Sequence, residues 1–224
     1  MNDNVVNKKS FLSQVTEIVK TNIRNIIILL SLCFVLFLFF QIYSFYISNK
    51  IQKNSISFFA AQNTDDTNVI TDTITKLSND NTFYGVLAKL ELIDLTLKQN
   101  NIEDSILMYL EVINQNNLQS VYKSAIASKA SYQLIDINFE NLSLNYLNII
   151  NDFISYIDDE TDSYKGIKLE LKYLIKILEV EKNSIDYSSF NEVSDIYENI
   201  MSSDVVSSAI KERVNKIHEF YSNK

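Results

Sequence analysis

LKQNNIEDSILMYLEVI, residues Leu97 to Ile113, sets two apolar helical stretches on either side of a polar break. Upstream, Leu87, Leu90, Ile93 and Leu97 fall on one helical stripe. Asn101 suits a helix N-cap, and Glu103 and Asp104 follow in the first turn, where the helix macrodipole favours acids. A new helix is therefore predicted from near Ile102, closing the one that runs from Thr82. The pair forms an αα-hairpin with a very short turn.

The second half of that hairpin has echoes. SILMYLEVI from Ser105, LSLNYLNII from Leu142 and VSDIYENIM from Val193 share one helical phase, with Tyr109, Tyr146 and Tyr197 at the fifth place and Ile113, Ile150 and Met201 at the ninth. At an offset of 37 residues, Ala88 aligns with Ala125, Leu97 with Leu134, Asn101 with Asn138 and Glu103 with Glu140. The third tile lies 51 residues beyond the second. It calls for a longer first helix and longer loops, supplied by DDETD (Asp158–Asp162) and KNSIDYSS, with Ser189 and Glu192 as a capping box. Single hairpins of this kind cannot bury their own apolar faces, whereas stacked ones build a continuous core. The repeated tyrosines pack between helices and give their hydroxyls polar partners. Small residues at Ala88, Ala125, Ala127 and Ala130 let the first helices approach closely. Asp204–Tyr221 reads as a closing cap helix. The expected fold is all-α: one transmembrane helix, then an α-solenoid of about three hairpins plus the cap helix. The competing arrangement is an irregular bundle in which the tyrosine phasing is coincidental.

Composition agrees with helices throughout. The 224 residues include two glycines and no proline, which removes the usual punctuation of sheets and tight turns. The single cysteine, Cys33, excludes an internal disulfide, and the single histidine, His218, excludes paired-histidine metal motifs. A net charge of −8 argues against nucleic-acid binding, which draws its affinity from basic patches on phosphates.

IIILLSLCFVLFLFFQIYSFYI, Ile26–Ile47, carries no charge over 22 residues. At ~1.5 Å per residue it spans roughly 33 Å, matching a hydrocarbon core of ~30 Å. Tyr43 and Tyr46 stand where an interfacial aromatic belt is expected. A buried core helix rarely runs so long without a polar face. A cleaved signal peptide needs a shorter apolar run with a small-residue site close behind, but Ala60-Ala61 lies well beyond it. A lipoprotein needs a small residue before its cysteine, where Leu32 stands. The segment is therefore an uncleaved signal anchor. Lys8, Lys9, Lys20 and Arg24 precede it, against Asp3 and Glu17, and only Lys50 and Lys53 follow closely. The positive-inside rule keeps the N-terminus cytoplasmic and sends the rest across the membrane. That remainder, from residue 48, holds 16 basic and 26 acidic residues, a net of −10. The expected organisation is 1–24 cytoplasmic, with a short amphipathic helix carrying Val6, Phe11, Val15 and Val19; 25–48 the membrane helix; 49–81 a helical extension and linker; and 82–224 the repeat domain.

No catalytic constellation emerges. His218 has no nucleophile or orienting group beside it in sequence, and DDETD lacks the glycine and terminal glutamate of a calcium loop. Glu91 with Asp94, and Glu170 with Glu179, read as ordinary helical carboxylates, and Gly85 and Gly166 open helices rather than cradle phosphates. The chain is expected to be no enzyme and to hold neither cofactor nor metal.

The opening stretch also resembles the central turn of tetratricopeptide repeats, with Asn100 for the turn glycine, Ser105 for the packing alanine and Tyr109 for the aromatic that follows. Departures are Ile93 at the small position, Thr96 at the tyrosine, Asn117 at the closing proline and Leu142 at the second alanine, while Ala130 restores the small position of the second tile. The repeat-packing set is thus Ala88, Ser105, Tyr109, Ala125, Ala130, Tyr146 and Tyr197. YGVLAKLELIDLTLKQNNIEDSI and IYENIMSSDVVSSAIKERVNKI, together with the layout over residues 8–224, resemble the YfgM-like ancillary subunits of the Sec translocon, in their alphaproteobacterial branch. The resemblance implies a single-pass inner-membrane protein with a periplasmic repeat domain. It further implies contact with SecYEG, with a membrane-anchored prolyl-isomerase chaperone and with unfolded clients, and no nucleic-acid or small-molecule substrate. The alternative role is a structural scaffold for envelope assembly or cell division that ignores clients.

Overall fold

The computed structural model describes residues 11–116, 118–143, 145–158, 162–183 and 190–223. Among them are nine α-helices and no strand. Lys8, Lys9, Asp3, Val6, Asn117, Asp159 to Thr161 of the acidic stretch and Ser189 of the capping box lie outside the described residues, as do the side chains of Phe11, Val15 and Val19. The chain divides into two compact units, residues 1–85 and 86–224.

The first unit is built on α1 (Phe11–Gln62), 52 residues without a break. The helical extension expected after residue 48 continues α1 to Gln62, and residues 11–24 belong to the same helix, which replaces the separate amphipathic helix expected there. Lys20–Gln62 is the one helical segment among the described residues long and apolar enough to cross a membrane, and none of its most apolar window is buried in protein. Ile27, Leu30, Phe34, Phe37 and Phe40 all stand more than half exposed. In water that surface is unfavourable by ~25 cal/mol per Å², whereas in hydrocarbon it is at rest.

Past the apolar stretch, α2 (Thr67–Ser78) packs against α1. Asp66 caps it by accepting from the Asn68 and Val69 amides at 3.0 and 3.3 Å. Phe58 and Ala61 of α1 and Ile74 and Leu77 of α2 are buried. The chain then returns along α1: Lys50 Nζ meets Asp80 Oδ2 at 2.9 Å, and Asn54 Nδ2 donates to Thr82 Oγ1 at 2.9 Å. A Cβ on Gly85 would lie 1.9 Å from the Asp80 carbonyl oxygen, so only glycine fits this entry into α3.

The second unit holds most of α3 (Phe83–Lys98), then α4 (Ile102–Ile113), α5 (Ser120–Glu140), α6 (Leu147–Ser155), α7 (Asp162–Asn183), α8 (Phe190–Ser202) and α9 (Ser208–Ser222). The α3–α4 turn falls at the Asn-Asn break. Asn100 has φ 62°, and the Asn100 and Asn101 amides donate to the carbonyls of Leu97 (2.9 Å) and Thr96 (3.1 Å). These paired bonds around a left-handed residue are a Schellman closure, a place where glycine is commonest and asparagine next. Asn101 takes the N-cap place of α4, but its side chain donates to Asp104 Oδ2 at 2.5 Å rather than capping the backbone.

Helix α5 is the hub, packing against α4, α6 and α7. Its buried face is small: Ser124, Ala127, Ala130 and Ser131 are fully buried. Ser128 and Ser131 donate to carbonyls one turn back at 2.7 and 2.8 Å, which satisfies their hydroxyls without a second helix. Ala125 is exposed, so the close approach rests on Ala127 and Ala130 and not on Ala125. The 37-residue register also fails here. Asn138, aligned by sequence with the N-cap Asn101, is fully buried inside α5, and the helix runs on to Glu140. Its amide donates to the Leu134 carbonyl at 2.8 Å, and its Oδ1 accepts from the Tyr146 amide and Lys182 Nζ, both at 3.4 Å. With its polar atoms satisfied, this asparagine continues a helix instead of ending it.

Two cores result. One gathers Ile93, Ile106, Tyr109, Ile113, Leu134, Ile150, Phe153 and Leu171 from α3 to α7. The other gathers Tyr173, Ile177, Val193, Ile200, Val206, Ile210 and Val214 from α7 to α9. Helix α7 packs against α5 and α6 on one side and α8 and α9 on the other, and so serves both.

Candidate binding surface

Tyr109 and Tyr197 occupy the same place, the eighth residue of α4 and of α8. Each reaches the helix that follows its own: the Tyr109 hydroxyl donates to Gln133 Oε1 of α5, and the Tyr197 hydroxyl to Asn215 Oδ1 of α9 at 2.6 Å. Burial, and then the negative Asp94 nearby, push the Tyr109 hydroxyl above its ordinary range, so it stays a donor at neutral pH. Tyr146 differs. It stands at the N-cap of α6, half-buried, and its hydroxyl reaches back to Glu103 of α4 at 3.2 Å. Ala88, Ser105 and Ala130 are fully buried, and the Ser105 hydroxyl donates to the Asn101 carbonyl at 2.9 Å.

The Gln133 that receives Tyr109 is itself one wall of a cleft of about 420 Å³ between α3 and α5. Gln133 Nε2 donates to Asp94 Oδ1 at 3.0 Å, and Lys129 Nζ bonds Asp94 Oδ2 at 2.6 Å, tying the two helices together across its inner end. The floor is half-buried Leu97, Ile102 and Ile137, continuous with the first core. The rim carries Glu91, Asp136 and Glu140 against a single basic residue, Lys98. Surrounding protein, and then Glu140 one turn along α5, push the Asp136 carboxyl above the usual carboxylate range. The cleft therefore presents an apolar floor under a predominantly acidic rim.

On α7, Glu170 departs from its sequence reading as an ordinary surface carboxylate. It is buried, and it accepts from Arg213 Nε at 2.9 Å, Arg213 Nη2 at 2.7 Å and the Tyr132 hydroxyl at 2.7 Å. The bidentate fork fastens α9 to α7, and Tyr132 adds α5. His218, also on α9, lies flat on Tyr197 with ring centroids 3.9 Å apart, and its Nδ1 is 3.4 Å from the Tyr173 hydroxyl. Neither group adjoins the cleft, so both read as fastenings of the last helix.

Sequence reasoning named Glu91 and Asp94 without assigning them a surface, and it passed over Asp136 as a cleft residue. Acids three apart on α3 and four apart on α5 were the available signal. Comparison with family models, with characterised proteins and with solved structures returns no match for this chain.

Proposed function

We propose that this is a membrane-anchored protein-interaction module whose helical hairpins stack as a tetratricopeptide-like solenoid. The observation that carries the reading is the order of packing. Helix α4 meets α5, α5 meets α6 and α7, α6 meets α7, and α7 and α8 meet α9. From α4 onward each helix meets neighbours one or two places along the chain, as in a one-dimensional stack. Tyr109 and Tyr197 add a repeated bond from a second helix to the following first helix. A stack of this kind presents a groove along its first helices, where extended or helical segments of other proteins dock.

The charge bias around the apolar helix orients the module. Its N-terminus stays in the cytoplasm of a bacterial inner membrane and residues from 48 onward face the periplasm. There it acts without catalysis as an ancillary subunit beside the SecYEG translocon, receiving emerging chains together with a membrane-anchored prolyl-isomerase chaperone. Crosslinking in intact membranes tests this. Recovery of translocon subunits or a prolyl isomerase is expected. Recovery of cell-wall or division proteins alone, with no binding of unfolded secretory chains, would replace it with the scaffold role.

A further inference from the structure

We infer that the α3–α5 cleft receives a short cationic and apolar peptide segment, its aliphatic side chains on Leu97, Ile102 and Ile137 and its lysines or arginines on Glu91, Asp136 and Glu140. The inference rests on the interaction-module reading and names the chemistry of the partner. The apolar floor is the first requirement. Its three side chains are continuous with the core yet remain half-exposed in a cleft large enough for a few side chains.

Charge complementarity selects what covers that floor. Glu91, Asp136 and Glu140 form no hydrogen bond or ion pair with any described residue, in contrast to Asp94 beside them, which Lys129 and Gln133 already satisfy. Asp136 and Glu140 are like charges one helical turn apart and repel each other. A cation seated between them relieves that repulsion. A bare metal ion is a poor occupant, since the described residues contain no group of three metal-ligating side chains near enough to hold one. A polyamine would satisfy the rim but leave Leu97, Ile102 and Ile137 without an apolar partner. Long lysine and arginine stems, interleaved with aliphatic residues, satisfy both at once.

Fluorescence anisotropy of the full chain in nanodiscs, with a labelled lysine–leucine peptide, tests this. The expected result is binding that weakens with salt. It should weaken about tenfold, or ~1.4 kcal/mol, in the variant Glu91→Gln/Asp136→Asn/Glu140→Gln, which removes the three rim carboxylates. A control variant, Asp72→Asn/Glu198→Gln/Asp204→Asn, removes the same charge from exposed positions outside the cleft and should bind as the parent does. A lysine–serine peptide should bind far more weakly than lysine–leucine. Equal weakening in both variants, or equal binding of both peptides, would overturn the inference in favour of diffuse attraction to an acidic surface. The two proposals fail separately. Translocon crosslinks without cleft-dependent peptide binding sink the cleft alone, and cleft-dependent peptide binding without translocon crosslinks sinks the cellular role alone.

Discussion

Glu170 shows what one buried carboxylate does in a helical stack. Its three bonds join α5, α7 and α9, so removing Arg213 leaves a charge in the interior with only Tyr132 to satisfy it. Arg213→Ala should cost about 2–3 kcal/mol, below the range for fully buried pairs because its own side chain is 55% exposed. Urea denaturation reads this directly, and Tyr132→Phe should cost only ~1 kcal/mol. His218 gives a pH dependence whose sign follows from its environment. Burial holds its folded pKa below the ordinary histidine value. The unfolded chain therefore takes up the proton first as pH falls, so this contribution is complete above about pH 6.5 and lost as pH drops from there through the folded pKa. The urea midpoint should fall between about pH 7 and pH 5, and His218→Gln should flatten that part of the profile. An unchanged slope in the variant would place the acid sensitivity elsewhere.

Helices and turns show which local signals suffice. The break at Asn100–Asn101 was legible because both residues favour turn geometry, and the left-handed φ of Asn100 makes the signal physical. Asn100→Gly should raise stability by a few tenths of a kcal/mol, and Asn100→Val should lower it by about 1–2 kcal/mol; thermal melting separates the two. Asn138 carried the same signal and meant the opposite. The Tyr146 amide, eight residues on, and Lys182, 44 residues on, satisfy its oxygen, and no pattern within the helix announces such partners. That one asparagine carries α5 past the expected turn, so Tyr146 stands at the N-cap of α6 while Tyr109 and Tyr197 sit well inside their helices. Ala125 failed for a related reason. A shared offset fixes a position along a helix, but not the side of it that faces a neighbour.

The whole molecule holds one helix long and apolar enough to cross a bilayer and a unit in which α4 to α9 pack on neighbours one or two places along the chain. The apolar span was plain in the sequence because a run of uncharged residues needs no tertiary context. The cleft was not. Its rim is assembled from acids about 45 residues apart, brought together only when α3 and α5 share one core. A photo-crosslinking residue placed at Ile137 on the cleft floor, with another at exposed Leu107 on α4 as reference, tests the proposed translocon role in living membranes. The expected result is capture of translocon subunits or emerging secretory chains from Ile137 and of neither from Leu107. Capture from Leu107 but not from Ile137, or from neither position, would contradict it.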